Sequence, residues 1–242
     1  MKQAGLGQLE FIMEEIKIPK HIAFIMDGNG RWAKKRALPR KAGHKAGVYA
    51  LKVVIEKCQS LGVQMCTFYA FSTENWKRPQ DEIDAIFKLV EDFASKELFK
   101  YAEKNYRVMF MGDLSLLPQS TKDAIKKIVD SAKNNTGMII NIAINYGGRQ
   151  EIVNALNYII QSGINKVDEQ MISNCIYTAG LPDPDIIVRT SGEERISNFM
   201  LWQLAYSEFI FVDTLWPDMD GDEIDKIIQE YSKRNRRFGD IK

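Results

Sequence analysis

The alternation of short apolar segments with amphipathic ones is the feature that most constrains the fold of this chain. Six segments rich in β-branched and aromatic residues are predicted to be buried strands, and helical periodicity fills most intervals between them. Strands that alternate with helices are typical of a parallel sheet covered by helices on both faces. We therefore predict an α/β fold with a central, mostly parallel six-stranded sheet. The predicted strands are 21–26, 64–71, 106–111, 138–145, 185–190 and 209–212, and the predicted helices are 41–61, 81–101, 119–134, 149–161 and 221–235.

The 242 residues contain no internal repeat and no Pro/Gly/Ser-rich linker. A composition of 45% hydrophobic and 27% charged residues is that of an ordinary globular protein. We predict one domain over 1–242, with an N-terminal arm at 1–18 and a core over about 20–238.

The formal net charge is only +1, so no general electrostatic field attracts nucleic acid, and any anion site must be a local cluster of basic residues. Cys58, Cys66 and Cys175 form no CxxC pair, which favours reduced thiols and a cytoplasmic location. No signal peptide is evident, and no stretch approaches the ~20 apolar residues of a membrane span. Any membrane contact is therefore expected to be peripheral, for example at the inner face of the membrane.

Glycine, arginine, hydroxyl and carboxylate residues follow four of the predicted strands. Strand 21–26 leads into the sequence DGNGRW, strand 64–71 into STENWKRP, strand 138–145 into NYGGR, and strand 185–190 into RTSGEERISN. Ligands of open parallel sheets bind beyond the carboxyl ends of the strands. The sequence therefore predicts a ligand site at this edge of the sheet.

The first of these loops has the residues of an anion site. Gly28 and Gly30 let backbone N–H groups approach an anion, and Arg31 offers a fork of donors suited to phosphate. Asp27 would repel that anion unless a cation lay between them, which points to Mg²⁺. The plain alternative is a strand-to-helix turn with Asp27 as the N-cap.

A dinucleotide-binding oxidoreductase is a second alternative, since Gly28-x-Gly30-x-x-Ala33 fits the dinucleotide fingerprint. An acidic ribose ligand is expected about 20 residues further on, at the end of a second strand. That position falls inside the predicted helix 41–61, which disfavours this alternative.

Arg189, Arg195 and Ser197 form a second basic cluster, and two separate clusters fit two phosphorylated ligands. Arg40 and His44 start a predicted helix near the first loop, where the plain alternative is a solvated basic face. Glu208 precedes the last strand and is either solvated or a metal ligand, the spacing alone favouring the solvated state.

Longer motifs identify the chain as similar to a known family. The segments HIAFIMDGNGRW (21–32), FSTENWKRP (71–79), NYGGR (145–149) and RTSGEERISNF (189–199) closely resemble those of bacterial undecaprenyl diphosphate synthases, as do AYSE (205–208) and LWPD (215–218). The resemblance runs in order from about residue 20 to residue 238. It implies an Mg²⁺-dependent cis-prenyltransferase, and it argues against a catalytically silent scaffold relative, which would have lost Asp27 or the arginines.

The resemblance also implies a substrate, a product and an assembly. Isopentenyl diphosphate would be condensed with an allylic diphosphate, expected to be farnesyl diphosphate. The product would be a long-chain polyprenyl diphosphate, expected to be undecaprenyl diphosphate, the lipid carrier precursor for cell-wall synthesis. The enzyme would be a homodimer that contacts the membrane to release its product.

Individual roles come from the same resemblance. Asp27 would hold Mg²⁺ on the allylic diphosphate, Asn75 would assist proton removal from isopentenyl diphosphate, and Glu208 would join the metal site from the partner subunit. Many relatives carry His where this chain has Glu194, so no metal role is transferred to that position. The implied substrate contacts are Gly28, Asn29, Gly30, Arg31, Trp32, Arg40, His44, Ser72, Thr73, Glu74, Trp76, Arg78, Arg189, Arg195, Ile196 and Ser197.

A hydrocarbon product requires an apolar tunnel. The helix predicted over 81–101 has an apolar face that could supply one wall, although a tunnel wall and a packed core have the same periodicity. We expect bulky Phe87 or Met138 near the tunnel end. The other candidate lining residues are Ile83, Ile86, Val90, Phe93 and Ile140.

Overall fold

Six parallel strands form one sheet with the order β3-β4-β2-β1-β5-β6. The computed structural model describes residues 16–234. The strands are β1 (His21–Ile25), β2 (Met65–Ser72), β3 (Arg107–Met111), β4 (Ile139–Tyr146), β5 (Ile186–Arg189) and β6 (Glu208–Phe211). The predicted α/β class and all six predicted strands are confirmed, and the sheet is wholly parallel. The predicted arm at 1–18 and the last positions of the predicted core lie largely outside the described residues.

The helices agree with the sequence pattern where that pattern was strong. They are α1 (Asn29–Lys35), α2 (Arg40–Ser60), α3 (Gln80–Asp92), α4 (Phe99–Glu103), α5 (Gln119–Ala132), α6 (Gly148–Gln161), α7 (Glu169–Ser173) and α8 (Gly221–Ser232). A π-helical turn, Phe93–Leu98, joins α3 to α4, so the helix predicted over 81–101 is interrupted but not ended. The short helices α1 and α7 were not predicted, because seven and five residues are too few to give a helical period.

The centre of the sheet is buried on both faces. Ile22 and Phe24 of β1 face a cluster formed with α2, α4 and α8, whereas Ala23 and Ile25 pack against Phe199 and its neighbours on the opposite face. Strands buried on both faces read as continuous apolar runs, which is why HIAFI shows no alternation. A rigid sheet centre of this kind fixes the loops that leave its carboxyl edge.

The turn from β1 into α1 depends on a glycine. Gly28 has φ of 103°, in the left-handed region, and a Cβ there would lie 3.0 Å from Leu215 Cδ2 and 3.1 Å from Ser191 Cβ. The chain therefore reverses tightly at the carboxyl edge and starts α1 without a side-chain cap. This turn holds Asp27 at the edge of the sheet.

His21 is a structural residue at the opposite edge. Its Nε2 lies 2.8 Å from Thr67 Oγ1 and its Nδ1 lies 2.8 Å from the carbonyl oxygen of Pro182. Burial lowers the pKa of His21 to about 4, against the smaller upward effects of the Pro182 hydrogen bond and the Asp185 charge. The imidazole is therefore neutral in the folded protein at neutral pH.

This burial predicts a pH-dependent loss of stability. Between about pH 6.5 and pH 4 the unfolded chain binds a proton at His21 that the folded chain excludes, so the free energy of unfolding falls as the pH falls. The loss is on the order of 3 kcal/mol over that range. Urea unfolding at several pH values, for the wild type and for His21→Gln, measures it. The variant should show a shallower pH slope, and equal slopes would contradict this role.

Candidate active site

A polar cavity of about 540 Å³ opens at the carboxyl edge of the sheet. It is formed by the loop after β1, the turn after β2 and the loop after β5. These three segments therefore meet at the carboxyl edge, as the sequence predicted. Its lining consists of Ile25, Met26, Asp27, Gly28, Asn29, Gly30, Arg40, His44, Tyr69, Ala70, Ser72, Glu74, Asn75, Arg78, Arg189, Ser197 and Asn198.

Asp27 and Arg189 form an ion pair in the wall of this cavity. Asp27 Oδ2 accepts a hydrogen bond from Arg189 Nη2 at 2.8 Å, and Oδ1 accepts one from the N–H of Gly28 at 2.7 Å. Partial burial favours the protonated carboxyl, but these hydrogen bonds and the charges of Arg189 and Arg31 outweigh it and lower the pKa of Asp27. Asp27 is therefore an anion with a 32% exposed side chain beside the cavity.

Arg189 also orders the loop that follows β5. Its side chain is only 4% exposed, and its Nη1 donates to Ser197 Oγ at 2.6 Å and to the carbonyl oxygen of Arg195 at 2.5 Å. Ser197 and Asn198 both have positive φ, 47° and 62°, so this loop is held in a conformation that non-glycine residues adopt rarely. The buried guanidinium thus fixes both the acidic residue and the loop.

Arg31 and Arg195 share the carboxylate of Glu193, and Arg31 also lies 3.5 Å from Asp27 Oδ1. Glu193 pairs with Arg31 at 3.1 Å and also with Arg195, whose side chain is largely exposed. Arg31 further donates to the backbone oxygen and the hydroxyl of Ser191. Arg31 lies in an open groove that adjoins the polar cavity and shares Gly30 and Arg40 with it. Neither Arg31 nor Arg195 lines the cavity itself.

The turn after β2 presents Asn75 in a fixed orientation. Asn75 Oδ1 accepts the N–H of Ser72 at 3.1 Å, and Ser72 caps the 3₁₀ turn Thr73–Lys77 in return. Because the amide oxygen is occupied by a backbone donor, the amide nitrogen is the group that Asn75 presents for further hydrogen bonds. Glu74 is held by Asn198, whose Nδ2 donates to Glu74 Oε1 at 3.1 Å.

Asn198 also holds the glycine-rich NYGGR segment. Its carbonyl oxygen accepts the N–H of Gly148 at 2.7 Å, and its side-chain oxygen accepts the N–H of Arg149 at 2.9 Å. The start of α6 is therefore capped from within the protein. The two glycines of this segment admit close neighbours, since a Cβ on Gly147 would lie 2.7 Å from Thr73 Oγ1.

Arg40, His44 and Arg78 meet at one carboxylate that sequence interpretation missed. All three contact Glu82 Oε1, at 3.2, 3.2 and 2.9 Å, and the Glu82 side chain is only 9% exposed. Burial lowers the pKa of His44, against the raising effect of Glu82. The only sequence sign of this arrangement is the i,i+4 spacing of Arg78 and Glu82.

Tyr69 and Asn198 are two further cavity residues that the sequence motifs did not single out.

An apolar cavity of about 90 Å³ adjoins the polar one. The two cavities share Met26, Asn29, His44 and Ala70. The expected apolar tunnel therefore has a counterpart that lies between α2, α3 and the sheet. The rest of its lining is Gly47, Val48, Leu51, Ile86, Leu89, Val90, Phe93, Phe110, Ile142 and Trp216.

The expected end of this tunnel is corrected by the structure. Phe87 is not part of the lining but packs against Phe71 and Trp76, with ring centroids 5.1 and 5.4 Å away, in a separate core cluster that also holds Ile83. Met138 and Ile140 are buried in the main core cluster. The apolar side of α3 borders both the cavity and this cluster. Ile86, Leu89, Val90 and Phe93 line the cavity, whereas Ile83 and Phe87 lie farther around the helix, in the cluster that also holds Ile86 and Ile125.

Four further residues predicted to bind substrate lie outside the lining of both cavities. Trp32 is half-buried, donates from Nε1 to Asp218 Oδ1 at 2.6 Å and stacks under Arg36. Trp76 is also half-buried, packs against the cluster around Phe87 and donates to Asn145 Oδ1 at 2.8 Å. Ile196 packs against the core cluster around Phe199, and Thr73 lies against Gly147.

Glu208, the second predicted metal ligand, is far from Asp27 within the chain. It pairs with Ile186 at the amino end of β5, whereas Asp27 follows the carboxyl end of β1 and contacts Arg189 at the carboxyl end of β5. Its carboxylate binds Arg234 Nη1 at 3.0 Å. Over residues 16–234 no group of three or more His, Cys, Asp or Glu side chains could hold a metal ion.

The fold and this site define a class of protein. A parallel sheet carries a cavity with an ionised aspartate and several basic side chains at its carboxyl edge, and an apolar cavity between two helices adjoins it. This arrangement suits a ligand with an anionic head and a hydrocarbon tail.

Comparison with known proteins agrees with this class. Residues 25–239 match the Prenyltransf family model, described as "Putative undecaprenyl diphosphate synthase". The isoprenyl transferase of Clostridium perfringens is 49% identical over 247 residues, which cover 100% of this chain and 98% of that protein. The isoprenyl transferase of Bacillus subtilis is also 49% identical, with 99% and 96% covered. The chain therefore belongs to the undecaprenyl diphosphate synthase-like family of cis-prenyltransferases.

Solved structures support the same assignment. A lavandulyl diphosphate synthase from Lavandula x intermedia, crystallised with dimethylallyl diphosphate, superposes with a TM-score of 0.88 at 33% identity and covers 92% of this chain. A probable undecaprenyl diphosphate synthase from Campylobacter jejuni superposes with a TM-score of 0.79, also at 33% identity and 92% coverage. Both alignments span 99% of the other chain.

Among the helices of residues 16–234, none has the length and apolar character needed to cross a membrane.

Proposed function

We propose that this protein condenses isopentenyl diphosphate with an allylic diphosphate, farnesyl diphosphate in the first instance, and repeats the step to give a long-chain polyprenyl diphosphate. The observation that carries the proposal is that the two cavities adjoin and share Met26, Asn29, His44 and Ala70 as lining residues. Two adjoining cavities of this kind can hold a diphosphate head among basic groups and a hydrocarbon tail among apolar ones. Burying the tail contributes about 0.8 kcal/mol per CH₂.

The reaction breaks one bond and forms another. The allylic C–O bond breaks, the diphosphate leaves with the electron pair, and the allylic carbon joins the terminal alkene carbon of isopentenyl diphosphate. A proton then leaves that unit, and a new double bond forms. Negative charge develops on the leaving diphosphate, so N–H groups aimed at it stabilise the transition state. Gly28, Gly30 and Arg40 line the cavity, and we propose that they supply these N–H groups.

Asn75 is proposed to orient isopentenyl diphosphate for loss of that proton. Its amide oxygen is tied to the N–H of Ser72, so its amide nitrogen is directed by a fixed turn. A fixed donor can hold a diphosphate oxygen and so place the reacting carbons. Arg189 and Ser197, which are hydrogen-bonded to each other, are proposed to bind the same diphosphate.

Mg²⁺ fits the proposed site through Asp27. This carboxylate is ionised, 32% exposed and beside the anion-binding loop. Its oxygens accept hydrogen bonds from the N–H of Gly28 and from Arg189, and Oδ1 also lies 3.5 Å from Arg31 Nη2. Magnesium is usually held by one or two carboxylates together with substrate phosphates, so a cage of several acidic side chains is not required. When bound, the ion would neutralise charge on the diphosphate leaving group.

A homodimer in the cytoplasm that touches the membrane surface to release its product belongs to the same proposal. A metal contact by Glu208 would need a second subunit, because this carboxylate lies at the amino end of β6 in its own chain. The exposed pair Phe209 and Phe211 on the same edge strand supports contact with another chain at this edge. The product is proposed to be the undecaprenyl diphosphate that serves as lipid carrier precursor in cell-wall synthesis.

The length of the product depends on the far end of the apolar cavity. At about 90 Å³ this cavity is much smaller than a long polyprenyl tail, so α2 and α3 must separate as the tail grows. Phe93 lies on the last part of the lining along α3, where the π-helical turn begins. We propose that Phe93 forms part of the wall that stops elongation.

Two phenylalanines on the same helical segment test this proposal. Phe93→Ala should lengthen the products, whereas Phe87→Ala should leave the product length unchanged, because Phe87 faces the separate core cluster. Each change should cost about 3–5 kcal/mol of stability, so the destabilisation is matched. Chromatography of the products measures the effect. Longer products from Phe87→Ala, or unchanged products from Phe93→Ala, would show that the wall lies elsewhere.

Incubation with farnesyl diphosphate, labelled isopentenyl diphosphate and Mg²⁺, followed by chromatography, tests the proposed function. We expect labelled products longer than the primer, and none in the presence of EDTA. Failure to incorporate the label would favour a silent scaffold relative. A thermal shift with NAD(P) but none with isoprenoid diphosphates would favour a dinucleotide-binding protein.

A further inference from the structure

Glu82 is placed to organise the basic wall of the polar cavity, although it is not part of that wall. One of its oxygens, Oε1, contacts Arg40 Nε at 3.2 Å, His44 Nε2 at 3.2 Å and Arg78 Nη1 at 2.9 Å. Those three side chains line the polar cavity and come from the start of α2 and from the turn before α3. Glu82 itself is in the first turn of α3.

The contacts leave most donors of the two arginines for a ligand. Arg40 uses only Nε toward Glu82, and Arg78 uses only one terminal nitrogen. The other face of Arg40 lies against Gly30, where a Cβ would be 3.1 Å from Nε. The guanidinium of Arg40, whose side chain is 58% exposed, therefore lies between Glu82 and the glycine loop, with its terminal N–H groups remaining as donors.

We propose that Glu82 is a positioning residue, which holds Arg40, His44 and Arg78 in the arrangement that receives the diphosphate of the allylic substrate. This inference rests on the proposed function. Because Glu82 belongs to α3 while Arg40 and His44 belong to α2, this arrangement exists only when the start of α3 is docked on α2. In this proposal the start of α3 stays docked on α2 beside the diphosphate, and only the more distant parts of α2 and α3 separate to admit the tail.

A different role for Glu82 predicts the opposite result. If this carboxylate only offset the positive charge of Arg40 and Arg78, its removal would strengthen the attraction for a diphosphate. If it positions these side chains, a change that keeps the charge but moves the oxygen should weaken binding. Glu82→Asp is that change, since it withdraws the carboxylate by one methylene group. Glu82→Gln keeps the length and removes the charge.

Glu91 offers a matched control on the same helix. It too is mostly buried, and its Oε1 accepts hydrogen bonds from Ser120 Oγ at 2.7 Å and Thr121 Oγ1 at 2.8 Å, so it supports the start of α5 and not the cavity. Glu91→Asp and Glu91→Gln should lower thermal stability without changing diphosphate binding. Any effect of Glu82 variants through general loss of structure would appear in these controls as well.

The measurements are calorimetric binding of inorganic diphosphate and the KM values for farnesyl and isopentenyl diphosphate. For Glu82→Asp and Glu82→Gln we expect diphosphate affinity to fall about tenfold or more and the KM for farnesyl diphosphate to rise by a similar factor. The KM for isopentenyl diphosphate should change less. The chain has only two histidines, so the His44 resonance can be followed by NMR, and its pKa should fall in Glu82→Gln but not in Glu91→Gln.

Unchanged or tighter diphosphate binding by Glu82→Asp would overturn this role, and so would equal effects of the Glu82 and Glu91 variants. The two levels of the proposal can fail separately. If the Glu82 variants bind inorganic diphosphate more weakly than the wild type but the wild type forms no prenyl product, the proposed function is contradicted and the positioning role is supported. Normal product formation with an unchanged KM for farnesyl diphosphate in both Glu82 variants would sink the positioning role alone.

Discussion

Asp27→Asn should lower turnover by about 10²–10³-fold while the fold persists, the size expected for loss of one electrostatic contributor to a transition state. The carboxylate of Asp27 is ionised beside the glycine loop. Hydrogen bonds from Arg189 and from the N–H of Gly28 hold it in the cavity wall. Asparagine keeps one oxygen to accept from Arg189 but cannot supply the charge that a metal ion requires. Steady-state rates at several Mg²⁺ concentrations measure the effect.

Asp113→Asn is the matched control for this change. Asp113 also follows a strand at the carboxyl edge, but its Oδ1 accepts the N–H of Ser115 at 2.9 Å and caps a short 3₁₀ turn. Its replacement should change turnover by no more than about threefold, as for a surface position. Near-normal turnover of Asp27→Asn, or full activity of the wild type in EDTA, would contradict the assignment of Asp27.

Arg189→Lys should be nearly as damaging, with kcat/KM for isopentenyl diphosphate lower by about 10²-fold or more. The guanidinium joins Asp27, Ser197 and the carbonyl oxygen of Arg195 at once, and a single ammonium group cannot reproduce that fork. Breaking a buried ion pair costs about 3–5 kcal/mol, and the partial exposure of Asp27 reduces that cost here. Rates must therefore be measured well below the unfolding temperature of the variant.

Arg149→Lys separates this effect from a general one. Arg149 lies at the same edge of the sheet, is exposed and does not line the polar cavity. Its change should leave kcat/KM within about a factor of two to three. A loss of only that size in Arg189→Lys would mean that the arginine is structural and that another group binds isopentenyl diphosphate.

The sheet and the location of the site follow from local patterns. Apolar runs such as HIAFI, alternating with amphipathic helices, predict parallel strands, and the polar loops that follow those strands must meet at the carboxyl edge. Asp27, Arg189 and Ser197 could therefore be brought together on paper. In the structure Arg189 donates hydrogen bonds to both Asp27 and Ser197.

Contacts between distant elements could not be predicted from one sequence. The role of Glu82 depends on how closely α3 approaches α2, and the i,i+4 pair with Arg78 gives no sign of Arg40 or His44. The position of Phe87 outside the cavity lining could not be predicted for a related reason, since the broad apolar side of α3 borders both the cavity and a core cluster. Arg31, Arg195 and Trp32 carry family motifs, yet their side chains engage Glu193 and Asp218 at the surface.

The most direct test of the central claim is the chemical structure of the product made from farnesyl diphosphate and labelled isopentenyl diphosphate. Mass spectrometry and NMR of the purified product report the number of added units and the geometry of each new double bond. We predict one primer joined to a whole number of five-carbon units, every new double bond cis, and one inorganic diphosphate released for each unit added. New double bonds that are trans, or release of diphosphate without chain growth, would contradict the account.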